Sequence, residues 1–236
     1  MAKIAENLNS FEQELYEACE AADRDPASIK LIGVSKFHSL EEIREARDLG
    51  LLDLGENRAQ EFVVKYEALK DENPKINWHF IGHLQRNKVK DIVGRADLIH
   101  SVDSERLLRA VHQQAESRGI IQKILLQVNF TGEIQKYGFT PEEIKEVTQN
   151  LVEDYPNVEL QGLMCMAELD ATEARLEETF TGVQDLLAEV RLLLPSERAA
   201  MCVELSMGMS SDYQVAIVCG ATMIRIGTAI FGERKN

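Results

Sequence analysis

The chain has 236 residues, of which 44% are apolar, an ordinary share for a globular protein with a sizeable core. Its 26 basic and 40 acidic residues give a formal net charge of −14, which opposes the counterion displacement that nucleic-acid binding requires. No apolar run approaches the roughly 20 residues that span a bilayer, and residues 1–22 lack the apolar stretch of a signal peptide. We therefore expect a cytoplasmic protein that has neither nucleic acid nor membrane as a partner.

The cysteines and histidines show no spacing typical of a metal site. The four cysteines lie far apart, and Cys202 and Cys219 fall in or beside apolar stretches, where a cysteine usually acts as a small buried hydrophobe. His79 and His83 are four residues apart, but the Phe-Ile-Gly stretch between them interrupts the helix that a metal-binding pair would need. The sequence therefore predicts no disulfide and no metal.

Short apolar runs rich in β-branched residues alternate with longer segments of helical spacing along the whole chain. An amphipathic helix covers residues 1–22, before the first run. The eight runs are 31–35, 52–54, 77–81, 97–100, 123–128, 158–163, 201–205 and 222–226. The helical segments between them include 39–50, 58–70, one that ends at Val93 before Gly94, and 211–219.

Several helix boundaries carry capping signals. Ser39 with Glu42 forms a capping box, and Thr140 followed by a proline and by Glu143 forms another. Asp103 is predicted to cap the helix after the fourth run. The long helix after Thr172 has one buried stripe, made of Leu176, Phe180, Val183, Leu187, Val190 and Leu194.

Eight strand-like runs that alternate with helices, without a linker, predict an α/β fold with a single (β/α)₈ barrel over residues 1–236. The structural alternative is an open, doubly wound sheet. The additional N-terminal helix is expected across one end of the barrel or against its side.

Active sites of such barrels lie at the C-terminal ends of the strands. Lys36 follows the first strand directly, and an amine at a partly desolvated barrel end is suited to form a Schiff base with an aldehyde. The plainer interpretation is a lysine that extends into solvent.

A second candidate feature is a site for an anion after the seventh and eighth strands. Ser206 begins a stretch of small and hydroxyl-bearing residues, and the segment 225–228 follows the eighth strand. Barrels commonly bind phosphate at these two loops. Helix capping by Ser210 or Ser211, and a salt bridge of Arg225 at the rim, are the alternatives. A lysine and a phosphate site together suit a phosphate ligand that carries an aldehyde.

With these residues collected, the chain resembles the pyridoxal phosphate homeostasis protein family, also called the YggS-type or proline-synthetase co-transcribed family. The strings WHFIGxLQxNK and LSMGMS…RIGTAIFG are highly specific for it. The matching stretches are 34–36, 55–57, 60–61, 78–88, 101–103, 127–129, 136–139, 162–164 and 205–232.

The resemblance implies a barrel like the N-terminal domain of alanine racemase, with pyridoxal 5′-phosphate (PLP) bound as a Schiff base on Lys36. It also implies that Arg225 faces the pyridine nitrogen. The other cofactor contacts that it implies are Asn57 beside the ring and Ser206, Gly227 and Thr228 at the phosphate. Residues 37–38, 54, 58–59, 130–131 and 165–168 depart from the family pattern and alter the rim of the site.

The resemblance further implies a protein that buffers or delivers PLP with little or no catalysis, and PLP-dependent apoenzymes are candidate acceptors. One alternative is a PLP-dependent amino-acid racemase. Its second base, in the racemases that this barrel resembles, is a tyrosine of a separate β-domain, and only ten residues follow the predicted eighth strand here. Another alternative is an aldolase that uses Lys36 without a cofactor, although such aldolases usually place the lysine on a later strand. The sequence shows no heptad seam, so a monomer is expected.

Overall fold

Eight parallel strands close into a barrel in the computed structural model, which describes residues 2–130 and 137–233. Each strand pairs with the next one along the chain, and the last pairs with the first. The strands are β1 (Lys30–Val34), β2 (Asp53–Glu56), β3 (Asn77–Phe80), β4 (Leu98–Val102), β5 (Gln122–Val128), β6 (Val158–Cys165), β7 (Glu204–Ser206) and β8 (Met223–Ile226). The predicted barrel is confirmed, and the open sheet is wrong.

Helices surround this barrel and connect its strands. They are α1 (Ala2–Ala21), α2 (Leu40–Asp48), α3 (Ala59–Leu69), α4 (Val89–Ile92), α5 (Glu105–Ser117), α6 (Pro141–Gln149), α7 (Leu151–Asp154), α8 (Glu173–Leu193), α9 (Ser196–Met201), α10 (Tyr213–Val218) and α11 (Thr228–Phe231). None of the described helices is long and apolar enough to span a bilayer.

The N-terminal helix α1 packs against α2, α10 and α11, and the Asn7 side chain donates a hydrogen bond to the Ile230 carbonyl (3.0 Å). It therefore lies against the side of the barrel. The eighth connecting helix, α11, is a single turn, so α1 covers the barrel wall that a longer α11 would cover.

Both predicted capping boxes are confirmed, at Ser39 and at Thr140. The prediction that Asp103 caps α5 is wrong, because Ser104 occupies the N-cap position. The Asp103 carboxylate instead lies 2.9 Å from Nδ1 of His83, at the end of the neighbouring strand.

Two boundaries differ clearly from the prediction. The helix expected up to Val93 is a 3₁₀ turn (Arg86–Lys88) followed by the short α4. The seventh run was expected to begin at Met201, but this residue ends α9 and β7 begins at Glu204. Both errors follow from short apolar stretches, for which periodicity does not separate helix from strand.

The apolar core has two parts. Outside the barrel, the predicted stripe of α8 is buried at all six positions. Inside the barrel, Ile32, Leu98, Leu125, Met164 and Met223 form a separate apolar cluster. Polar side chains share this interior, since His79, His100, Ser206 and Arg225 are each at most 5% exposed. The four cysteines are buried and unpaired.

Candidate functional site

The closed barrel brings together the segments that follow β1, β2 and β8. Val34 pairs with Gly55 of β2, and Gly33 pairs with Ile226 of β8. Lys36, Asn57 and Gly227 therefore follow strands that are hydrogen-bonded neighbours. This places three of the predicted site residues at one side of the C-terminal end of the barrel.

Lys36 is partly buried and lies in the turn after β1. The next residue, Phe37, has a φ of +69°, which is uncommon for a residue with a side chain. The guanidinium of Arg58 lies 4.7 Å from the centre of the Phe37 ring. The turn that carries Lys36 is thus a strained conformation that needs support from its surroundings.

This support comes from the buried ammonium of Lys65 on α3. Its Nζ donates to the Ser35 carbonyl (2.7 Å), to Oε1 of Glu56 (2.6 Å) and to Oε1 of Glu61 (2.7 Å). Glu61 also accepts the Phe37 N–H at 2.5 Å. The residues on either side of Lys36 are therefore attached to the same ion cluster, which fixes the direction in which Lys36 leaves the strand.

Glu56 is the fully buried member of this cluster. Burial raises the pKa of its carboxyl group, although Lys65 and the Ser35 hydroxyl both favour the charged form. Oε1 also accepts the Ser35 hydroxyl at 2.7 Å, while Oε2 has no hydrogen-bond partner among the described residues. Lys65 thus makes the largest contribution to keeping Glu56 charged, and the Ser35 hydroxyl adds to it.

The Arg225 guanidinium lies inside the barrel at the end of β8. Nη1 donates to Oγ of Ser206 (2.7 Å), and Nη2 donates to the Cys165 carbonyl (2.9 Å). Burial lowers the pKa of Arg225 from its usual value, and Asp212 partly opposes this shift. An arginine side chain keeps its proton in proteins, so Arg225 remains a cation that can only donate.

The Ser206 hydroxyl extends this contact into the barrel. It lies 2.8 Å from Nδ1 of His100, whose Nε2 is 2.8 Å from Nδ1 of His79. Nε2 of His79 is 2.9 Å from Oδ1 of Asp53, at the other end of the barrel. The two contacts of the Ser206 hydroxyl are thus with Arg225 and His100. Its predicted contact with a phosphate stays a prediction.

Asn57 and Gly82 lie in direct contact at the rim. A Cβ at Gly82 would come within 2.1 Å of the Asn57 carbonyl oxygen, so only glycine permits this approach. Oδ1 of Asn57 is buried and has no hydrogen-bond partner within residues 2–130 and 137–233. Gly227 is half-buried and Thr228 exposed, directly after β8.

A cavity of about 710 Å³ opens at the opposite end of the barrel. Its lining includes the first residues of several strands, such as Lys30, Asp53 and Asn77, and none of the predicted site residues. We locate the candidate site at the C-terminal end, where Lys36 and Arg225 lie, because barrel enzymes and binding proteins use that end.

Sequence reasoning missed the residues that hold the site in place. Lys65 lies four residues after Glu61, a spacing that signals a helical ion pair but not its burial under the β1 turn. His79 and His100 lie in strands that are mainly apolar, and this pattern could have marked them as inward-facing polar residues. Neither was assigned a role at the site.

The chain matches the family model of the alanine racemase N-terminal domain over residues 7–235. The pyridoxal phosphate homeostasis protein of Aquifex aeolicus is 43% identical over 230 residues, which is 98% of each chain. The chain belongs to the pyridoxal phosphate homeostasis protein family. A further family member, from Pseudomonas aeruginosa, is 39% identical and covers 99% of this chain and 97% of its own.

The solved structures that resemble this chain include one of more than one-third sequence identity and more distant ones with the same fold. PipY of Synechococcus elongatus, solved with PLP bound, is 36% identical, with a TM-score of 0.82 over 98% of this chain and 100% of its own. An alanine racemase of Clostridium difficile is 15% identical, with a TM-score of 0.70 over 100% of this chain and 58% of its own. The latter likeness concerns the fold alone.

The ion cluster under the β1 turn predicts a large effect of Lys65→Met. The substitution leaves the Glu56 carboxylate buried without its partner, and breaking a buried pair in this way costs about 3–5 kcal/mol. Denaturant unfolding measures the loss. Lys70→Met is the matched control, because Lys70 pairs with Glu67 on an exposed surface and such pairs contribute about 0–1 kcal/mol. Equal effects of the two substitutions would contradict the assigned role of Lys65.

Burial of His100 predicts a pH dependence of stability. Burial, followed by the electrostatic effects of His79 and Arg225, holds the pKa of His100 well below its usual value. Below about pH 6.5 the unfolded chain therefore takes up a proton that the folded protein does not, and stability falls as the pH falls. We expect the stability difference between wild type and His100→Gln to shrink by about 1.4 kcal/mol per pH unit over this range. A difference that stays constant between pH 5 and pH 7 would contradict a neutral, buried His100.

Proposed function

We propose that this protein binds PLP at the C-terminal end of the barrel, through a Schiff base with Lys36, and that it buffers or delivers the cofactor in the cytoplasm. One observation carries the proposal. The Arg225 guanidinium is buried at this end, next to the strand that leads to Lys36, and it is held by two hydrogen bonds. When bound, PLP supplies a reactive aldehyde and an electron-withdrawing pyridine ring.

The donors and acceptors at the site fit such a ligand. Lys36 offers an amine for the aldehyde, and Arg225 offers N–H groups for the pyridine nitrogen. Oδ1 of Asn57 is a buried acceptor without a described partner, as expected of a group that a ligand engages. We assign the phosphate to the segment after β8, at Gly227 and Thr228, with Ser206 nearby. The barrel over residues 1–236 would form one PLP-binding domain.

Two features support a carrier rather than a racemase. Arg225 can only donate a hydrogen bond, so it leaves the pyridine nitrogen without a proton and the ring a weak electron sink. A two-base racemase also needs a second proton donor. Tyr137 lies after β5 at this end, and its ring is stacked on His83 with centroids 3.9 Å apart. Tyr213 begins α10 after β7, but it is buried against Phe11 of α1.

Exposed apolar side chains around the site suit a protein acceptor. Phe37, Tyr137, Met166, Leu169 and Met209 all follow strands at the C-terminal end and are between 37% and 91% exposed. A contiguous exposed apolar patch at a site marks a surface that contacts another molecule. We propose that apoenzymes that need PLP dock here, and that the carrier itself is a monomer.

The proposal predicts that Lys36→Ala loses the covalent cofactor. After incubation with PLP and reduction with borohydride, mass spectrometry should find the adduct on the peptide that contains residue 36 in wild type and not in the variant. Lys30→Ala, at the exposed first position of the same strand, is the control and should keep the adduct. The proposal fails if reduction labels a different lysine and spares Lys36. Lys136, a further candidate for labelling, lies outside the described residues.

The proposal also predicts that the PLP-loaded protein is a poor racemase. In deuterated water with L-alanine, deuterium should appear at Cα far more slowly than about 1 per second, the low end of typical enzyme rates. The physical reason is the donor-only Arg225 and the stacking of Tyr137 on His83. Exchange at about 1 per second or faster would make racemisation the primary function.

A further inference from the structure

A chain of hydrogen bonds crosses the barrel interior from Arg225 to Asp53. Its four links join five strands, and no link is longer than 2.9 Å. The three central members are at most 2% exposed. Its order from the C-terminal to the N-terminal end is Arg225, Ser206, His100, His79 and Asp53.

The two ends of this chain have fixed and opposite roles. Arg225 can only donate. Although burial opposes it, the hydrogen bond with His79 lowers the pKa of Asp53, so the carboxylate is ionised and can only accept. If both imidazoles are neutral, each of the four links can contain one hydrogen in only one arrangement. In that arrangement every hydrogen bond is donated from the Arg225 side towards Asp53.

Following that direction fixes the tautomer of each ring. Ser206 accepts from Arg225 and donates its own hydrogen to Nδ1 of His100. His100 then carries its proton on Nε2 and donates to Nδ1 of His79, which donates from Nε2 to Asp53. The reverse tautomers would set the bare Nε2 of His79 against the Asp53 carboxylate, a contact between two acceptors. The low pKa of His100 supports a neutral ring.

We infer that His100 and His79 are positioning residues for the cofactor site, because together they set the direction of the chain that holds Arg225 and Ser206. This inference rests on the proposed function. Neither imidazole is placed at the ligand. They act through Ser206, whose hydrogen points to His100 and away from any anion, so that Ser206 presents a lone pair to Arg225 and helps to aim the guanidinium.

The first test needs no cofactor. In ¹⁵N-labelled protein without PLP at neutral pH, imidazole NMR should show both rings protonated at Nε2 and bare at Nδ1. Assignment uses the loss of each signal in His79→Asn and His100→Phe. A ring that carries its proton on Nδ1 overturns the inference, since the chain would then not run from Arg225 to Asp53.

The second test measures PLP affinity. In His100→Phe, which keeps a ring but breaks two links, we expect the dissociation constant to rise about tenfold, as for the loss of one good hydrogen bond at the site. Borohydride labelling should still fall on Lys36. His112→Phe, a substitution outside the barrel interior, should leave the affinity unchanged. If His100→Phe does not fold, His79→Phe tests the same step, because it removes both the acceptor for His100 and the donor to Asp53.

Unchanged affinity in the folded variants, with stability alone reduced, overturns the positioning role. Failure of wild type to bind PLP at all would be seen in the same titration and would instead reject the proposed function, while the tautomers remain measurable. The two failures are therefore distinguishable.

Discussion

A guanidinium inside a barrel needs acceptors for its N–H groups, because an unpaired buried charge costs several kcal/mol. Arg225 finds two, the Ser206 hydroxyl and the Cys165 carbonyl, on the two strands that precede β8. A hydroxyl that accepts from arginine must direct its own hydrogen elsewhere. In the inferred direction of the chain, the Ser206 hydrogen points to His100, the His100 proton points to His79, and the His79 proton points to the Asp53 carboxylate. Four hydrogen bonds thus connect this buried cation with side chains of four other strands.

The two buried cations of the site, Lys65 and Arg225, differ in the number of N–H groups that remain available for a ligand. The ammonium of Lys65 has three N–H groups, and three oxygen atoms accept them. Lys65 is therefore saturated and acts as a fixed support for the turn that carries Lys36. Arg225 has five N–H groups, and two of them are used among the described residues. The remaining capacity makes Arg225 the member of the pair that can bind a ligand.

The sequence was sufficient for the order of the elements and for the ends of the strands that form the site. Alternating periodicity predicted eight strands, and local capping chemistry predicted the starts of α2 and α6 correctly. Contacts between distant segments could not be predicted, because the spacing of residues along the chain does not show which side chains point into the barrel. Lys65 meets Ser35 across 30 residues, and His100 meets Ser206 across 106. Asp103 failed as a cap for the same reason, since a histidine from another strand end holds its carboxylate.

The fold alone does not decide between a carrier and a racemase, because an alanine racemase shares this barrel at 15% identity. The difference has to lie in the residues that face the ligand and in those that hold them. Here the cation at the strand end is an arginine, which cannot give up its proton, and a continuous chain of hydrogen bonds connects it to Asp53. Proton transfer at carbon requires groups that gain and lose protons during each turnover, and Arg225 cannot act as such a group.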